Sequence, residues 1–248
     1  MERSVHFRGI VIRHTNYDEA DRFITFLTPY RGKISALAKG VRRISSRKAG
    51  HLQPFNYVDV QLSKGKGASL LVTQVSTIES WPEITSSLDK TVRASCILEL
   101  ADRFSLEEVE NVSLFQLTLE TLRRMAKYED TFPVQRYFDL QLLSVTGYRP
   151  QLFECVRCRK KIQPEDQFIH FGLGGVLCPE CGNQIRGARP VSVNTLKYFR
   201  YYQTRSFAEA VAAGWPREIR LESENILTGY QSYLLERKTN SQQFLEQM

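Results

Sequence analysis

Cys155 and Cys158 in "CVRC" and Cys178 and Cys181 in "CPEC" make two C-x2-C pairs separated by nineteen residues. A two-residue gap lets both sulfurs of a pair converge on one ion, and the loop between the pairs can bring the second round to complete a tetrahedron. The spacing predicts one structural Zn2+ held by four thiolates. With no open coordination position, such a site serves folding rather than catalysis. Four thiolates around a dication leave net negative charge, and Arg157, Arg159, Lys160 and Lys161 stand beside the first pair to offset it. His170, between the pairs, is an alternative ligand. Cys96 falls on an apolar helical stripe and reads as core.

The second constellation is electrostatic. Lys39, Arg42, Arg43, Arg47 and Lys48 crowd into "AKGVRRISSRKAGHLQPF", and no acid interrupts the chain from Arg31 to Lys48. Residues 1–80 hold 13 Lys and Arg against six Asp and Glu, whereas the remaining 168 carry 21 of each sign. The whole excess of +7 therefore sits in the N-terminal third, where a polyanion would be drawn. Lys33, Lys64 and Lys66 extend the cationic run. Phe7, Tyr17, Phe23, Phe26, Tyr30, Phe55 and Tyr57 are interleaved with it, and one or two of these rings exposed beside such a path would suit base stacking. "LKYFRYYQTR", with Tyr198, Phe199, Tyr201 and Tyr202, offers a second set of rings, but its helical spacing points them inward.

Enzyme signatures are sparse. The glycine-rich "KGKGAS" lacks the terminal Lys-Ser/Thr of a phosphate loop, and neither H-E-x-x-H nor G-x-S-x-G occurs. Asp18, Glu19 and Asp21 in "YDEAD" are the residue type a nuclease uses to hold Mg2+, although Arg22 abuts them.

These groups need elements to position them. "VHFRGIVIRH", "RFITFLT", "KISALAK", "NYVDVQLS" and "ASLLVTQVSTI" are β-branched and aromatic runs separated by turn signals. Five short strands in about 80 residues suit a closed barrel of the OB type, with the basic stretch between the third and fourth strands. Val92, Cys96, Ile97, Leu100 and Phe104 then follow helical spacing, as do Phe115, Leu119, Leu122 and Ala126 after an Asn111 cap. A third helix should start near Pro133 and stop before Gly147. Ser192 caps another, and Ile219, Ile226, Leu227, Tyr230, Tyr233 and Leu234 mark the last. The reading is an α+β chain: an OB-fold barrel over residues 1–80, a helical domain over 81–150, a zinc module over 151–188, and C-terminal helices over 189–248 packing on the helical domain. The start of the chain has no uninterrupted apolar core and no run long enough to span a bilayer, so a cytoplasmic location without membrane is expected.

Gly9-Ile10-Val11, then Tyr17, Glu19, Ala20, Asp21, Arg22, Thr25, Thr28 and Gly32, then Lys39-Gly40 with Arg42 and Arg43, and Gln53-Pro54-Phe55 form a pattern that resembles the bacterial RecO family. Gly147-Tyr148, Pro150, Leu152, Gly174-Gly175 and both cysteine pairs continue it. The resemblance implies a DNA-repair protein of RecF-type recombinational repair, a non-enzymatic, nucleoid-associated mediator. It implies binding to single- and double-stranded DNA, annealing of complementary strands, and help in loading the RecA recombinase onto DNA coated by single-strand-binding protein (SSB). The partners it implies are RecR and the acidic C-terminal tail of SSB. For that tail an apolar groove with a basic rim is expected, with Arg123, Arg124 and Arg136 as candidates. The rival readings are a zinc-ribbon transcription or RNA-binding factor, in which the cysteine module itself touches nucleic acid, and the Mg2+ nuclease.

Overall fold

A computed structural model describes residues 4–65 and 69–236 of the chain. Five strands, β1 (Ser4–Tyr17), β2 (Asp21–Thr28), β3 (Gly32–Ala38), β4 (Tyr57–Lys64) and β5 (Leu70–Glu79), close into a barrel of order β1-β2-β3-β5-β4. That is the five-stranded OB-type barrel expected from the strand pattern. Closure rests on β1, which pairs with β4 through Ser4 to Ile10 and with β2 from Ile10 to Tyr17. An irregularity between Val11 and Arg13 lets this long strand bend from one neighbour to the other. A parallel contact of Leu37 with Leu71 joins β3 to β5 and removes the last open edge. The alternation along β4 does what its period predicts: Val58, Val60 and Leu62 are fully buried and face Ile24, Phe26 and Ala36 in one core.

Past the barrel come a single helical turn α1 (Pro82–Thr85), α2 (Leu88–Phe104) and α3 (Val112–Lys127). Ser87 caps α2 by accepting from the Lys90 N–H, and Asn111 caps α3 by accepting from the Leu114 N–H at 2.9 Å. Helix α2 packs on β1 and α3 on β2. Cys96 is fully buried on α2, as its apolar stripe predicts.

The chain divides into two compact units, the first ending at Glu129 and the second starting at Asp130. This differs from a helical domain running through residues 81–150. The helices α2 and α3 group with the barrel, whereas α4 (Phe132–Val145) groups with the C-terminal elements. The physical reason is that an amphipathic stripe specifies burial but not a partner, and α2 and α3 spend theirs on the barrel wall.

The second unit holds α4, a three-stranded sheet of β6 (Gln167–His170), β7 (Gly175–Leu177) and β8 (Arg189–Val191), and the short α5 (Pro179–Gly182). Helices α6 (Val193–Thr204), α7 (Phe207–Ala212) and α8 (Arg220–Leu234) complete it, with a 3-10 turn at Arg217–Ile219 before the last. Leu140 and Leu143 of α4, Ile169 and Val176 of the sheet, and Phe199, Tyr202, Leu227 and Tyr230 of the helices share one core. The sheet of the cysteine module is therefore part of that core. Phe199 and Tyr202, in the ring-rich stretch of α6, are 1% and 0% exposed, so those rings pack inward as their spacing predicts. Arg136 of α4 is buried and ion-paired with buried Asp139 at 3.0 Å, and Gln231 of α8 donates to the same carboxylate. This polar network ties α8 to α4. Among the described residues no helix is long and apolar enough to cross a membrane.

Candidate nucleic-acid interface and metal centre

The link between β3 and β4, residues 39–56, is a series of tight turns rather than an open loop. Val41 and Leu52 are 2% and 1% exposed and plug into the barrel core, so the segment is pinned at two apolar anchors. Backbone bonds add to this: the Arg42 N–H reaches Ala20 O, and the Phe55 N–H reaches Val11 O at 3.0 Å. Of the acids of "YDEAD", Asp21 serves the same anchoring, and Asp18 closes its own local turn. Asp21 Oδ1 accepts from the Gly40 N–H at 2.7 Å, and Asp18 accepts from the Glu19 N–H. Among the described residues these carboxylates join no cluster of three or more potential metal ligands. Their place is structural, and it gives no support to an Mg2+ site.

The cations of the segment fall into two groups. Lys39, Arg43, Arg47 and, at the end of β4, Lys64 are exposed, and none has an ion pair or side-chain hydrogen bond among the described residues. Arg42 and Lys48 are partly committed, because Arg42 Nη1 donates to Asp18 O and Lys48 Nζ to Val72 O, both at 3.0 Å. Lys66 lies outside the described residues. Lys33 is held differently. Its Nζ sits 3.0 Å from Asp102 Oδ1 and donates to Asp102 O at 2.7 Å, with 19% of the side chain exposed. An amine so held offers a phosphate little net charge, and Asp102, far away in sequence, carried no signal of the pairing. Of the rings, Phe26 and Phe55 are buried in the barrel, leaving Tyr17 and Tyr30 as the most exposed, at 51% and 70%.

Sequence reasoning missed an acidic element at the start of β3, the end of that strand away from Lys39. The segment between α2 and α3 bridges to Gly32 and Lys33 through Glu107, and the Lys33 N–H donates to Leu106 O. Gly32 has φ of +53°, and a Cβ there would lie 2.1 Å from Leu106 O, so only glycine fits. Glu107 and Glu108 thereby line one cleft with Phe23, Arg31, Lys33, Ser35 and Leu70, on the β2–β3 side of the barrel. In barrels of this type that face is the usual oligonucleotide path. Here carboxylates narrow it. Lys39 and Arg43 of the β3–β4 segment share a cleft with Asp18, Glu19 and Asp21 but form no ion pair with them among the described residues, so their charge stays available to a phosphate.

In the second unit the four sulfurs of Cys155, Cys158, Cys178 and Cys181 all lie within 4.8 Å of one another. Cys158 and Cys178 are 3.8 Å apart. A tetrahedral ion with Zn–S bonds of about 2.3 Å needs sulfurs separated by about 3.8 Å, which Cys158 and Cys178 already match, and small shifts of the other sulfurs would complete the set. Local structure brings them there. The Cys178 carbonyl starts α5, accepting from the Cys181 and Gly182 N–H groups, and Pro179 takes the first helical position. In the first knuckle the Arg159 N–H bonds back to Cys155 O, and Arg159 adopts φ of +63° to close the turn. A Cβ on Gly175 would meet Gln151 O at 2.4 Å, which is why the strand beside the site begins with glycine.

Electrostatics favour the thiolate at Cys155 and oppose it at Cys178 and Cys181. Burial raises the Cys155 thiol, but N–H groups of Cys158, Cys178 and Arg157 directed at its sulfur outweigh this and bring it down to about 6. Burial, reinforced by the neighbouring sulfurs, pushes Cys181 up to about 12, so that thiol keeps its proton until a cation replaces it. Lys160 pairs with Glu180 across the two knuckles at 3.2 Å. His170 stays outside the cluster, its Nδ1 accepting from the Leu173 N–H. The arginines considered for an acidic tail are also spoken for. Arg136 is buried against Asp139, and Arg123 is clamped by Glu79 and Glu120, which raises the guanidinium pKa and lowers that of Glu79.

A five-stranded OB-type barrel with unpaired cations on one anchored link, followed in the same chain by a helical unit that carries four cysteines placed to hold a metal ion, defines a modular class of protein in which no catalytic cluster is needed to explain the charged surface. The family can be named from the comparisons. Residues 1–81 match the family model described as "Recombination protein O N terminal", and residues 85–243 match "Recombination protein O C terminal". A DNA repair protein RecO from Dehalococcoides mccartyi is 37% identical over 241 residues, covering 97% of this chain and 94% of that one. One from Roseiflexus sp. is 33% identical over 245 residues, covering 99% and 86%. One from Symbiobacterium thermophilum is 32% identical over 241 residues, covering 96% and 95%. The chain belongs to the RecO family of DNA repair and recombination proteins.

Proposed function

We propose that this chain is a recombination mediator that binds single- and double-stranded DNA through the β3–β4 segment and anneals complementary strands without chemical catalysis. The observation that carries the reading is the group of unpartnered cations, Lys39, Arg43 and Arg47, on one anchored link of an OB-type barrel. Two strands resist approach because both are polyanions, and cations that neutralise phosphates lower that resistance while leaving base edges free to pair. Arg42 and Lys48 supply secondary contacts once released from their carbonyl partners, and Lys64 extends the path; Lys66, proposed with them from the sequence, lies outside the described residues. The family reading adds RecR, the SSB tail and, indirectly, RecA as partners. Zn2+ is the ion that the four thiolates suit, and its role is to scaffold the second unit.

The test is annealing of complementary strands coated with SSB, without nucleotide cofactor. The reading expects this chain to accelerate annealing in the presence of EDTA added only to the assay; strand cleavage, or no acceleration at any protein concentration, would count against it. The acidic segment makes a further expectation. Glu107 and Glu108 are exposed and line the cleft on the β2–β3 side of the barrel, so replacing both by Gln should leave folding intact. The length of β3, about 20 Å, separates them from Lys39, and a unit charge at that distance in water is worth about 0.2 kcal/mol, so the double replacement should tighten single-strand binding about twofold. Fluorescence anisotropy at low salt measures this, and the gain should vanish at high salt.

A further inference from the structure

Ile44 is 107% exposed, whereas the other large exposed apolar side chains lie between 41% and 70%. Exposed apolar residues scattered singly are ordinary and carry no meaning. The position of this one is different. Ile44 comes directly after Arg42 and Arg43 and precedes Arg47, in the stretch where no acid occurs between Arg31 and Lys48. Its backbone is held in two successive turns, since the Arg43 N–H donates to Gly40 O at 3.1 Å and the Ser46 N–H to Arg43 O at 2.9 Å. Ile44 is a central residue of the second turn. Buried Val41 anchors the segment below it, and Lys48 is tied to Val72 O beyond it. The side chain is therefore presented outward by a backbone already ordered, at little further entropic cost on binding. An isoleucine so placed adds nothing to the fold, and a serine like its neighbours Ser45 and Ser46 would keep the tip more soluble.

We propose that Ile44 is a wedge that inserts between adjacent bases while Arg43 and Arg47 hold the flanking phosphates, so that bound single strands are presented with one base step unstacked. This rests on the nucleic-acid reading of the same segment and adds the base-directed group to it. Apolar side chains inserted between base steps, with cations on the neighbouring backbone, are an established way for proteins to open a stack. The occupant is set by charge: a polyanion with apolar faces matches an isoleucine set among unpaired guanidinium groups, whereas an apolar protein groove does not. For annealing, an opened step offers base edges to an incoming strand.

The test uses the full chain and a single-stranded oligonucleotide carrying 2-aminopurine, whose fluorescence is quenched by stacking. At saturating protein, fluorescence should rise well above that of the free oligonucleotide. Ile44→Ser should bring it back near the free value, and Ile44→Leu should restore it. Because the side chain is wholly exposed, neither change should alter the melting temperature. Both variants should keep the wild-type slope of log affinity against log salt, since the cations remain. Equal fluorescence for wild type and Ile44→Ser at saturation overturns the wedge while leaving phosphate binding standing. Absence of salt-dependent binding by the wild type overturns the underlying reading instead. If Ile44→Ser loses binding to phosphatidylserine vesicles while the oligonucleotide signal is unchanged, the residue is a lipid contact and the proposal fails.

Discussion

Removing the metal from the four-cysteine site should unfold the knuckle region of the second unit and release one equivalent of Zn2+ per chain. The apolar cluster around the sulfurs is small. Leu177 is its one fully buried side chain besides cysteine, with Val156, Ile162, Phe168 and Ile185 only partly covered. A cluster of that size cannot offset the entropy of ordering the two knuckles and the loop between them. A metal held by the four thiolates would do so, since such ligation in comparable peptides contributes about 10 to 16 kcal/mol at neutral pH. The effect should spread, because Ile169, Val176 and Val191 of the adjoining sheet belong to the core of α4, α6 and α8. Cys155→Ser and Cys181→Ser should each reproduce the effect of a chelator, with a large fall in melting temperature and loss of stoichiometric metal. Lower pH should ease release, since protons compete for the thiolates. A protein that purifies without zinc and melts identically with and without chelator would refute the assignment. DNA binding by the barrel should keep its salt slope in the chelated protein; if binding is lost outright, the zinc-ribbon reading gains, with the knuckle cations as the contact surface.

Replacing Lys39, Arg43 and Arg47 together by Ala should be the most damaging change to DNA binding. Each phosphate neutralised on a single strand contributes about 0.7 to the slope of log affinity against log salt, so the triple variant should lose a slope of about 2 and bind about a hundredfold more weakly at 0.1 M salt. The loss should be similar for all base sequences, because phosphates carry no sequence information. Arg42→Ala should cost less, its guanidinium being already shared with Asp18 O. Lys33→Ala should leave the slope unchanged and instead reduce stability modestly, as it removes the more buried of the two cations paired with Asp102 and leaves Arg13 at 3.3 Å. Anisotropy titrations across a salt series distinguish these outcomes. If Lys33→Ala lowers the slope as much as the triple variant, the division of the cations made from their partners is wrong.

Much of the architecture is legible in the residues alone. Strand runs such as Val58, Val60 and Leu62 and caps such as Asn111 and Ser192 depend on neighbours within a few residues, and the structure places the strands and caps where that local pattern puts them. The acidic segment is not legible in this way. Nothing in "SLEEVEN" indicates that its backbone bridges to Gly32, some seventy-five residues earlier, because the fit is made by a glycine with no side chain and by two carbonyl oxygens. The break at Glu129 is hidden for a related reason: α3 and α4 are both amphipathic, and the stripe does not say what it will cover.

By itself the sequence determined the barrel, the helices and the donors of the metal site, since each depends on short-range period or on the reach of two residues between thiols. Which cations remain free was decided only by the tertiary structure. Lys33 and Arg43 look alike as residues in a basic run, but folding brings Asp102 to one of them across 69 positions and leaves the other without a carboxylate partner. Charge is a property of composition, whereas its availability to a phosphate is a property of the packed neighbours that neutralise it or leave it exposed.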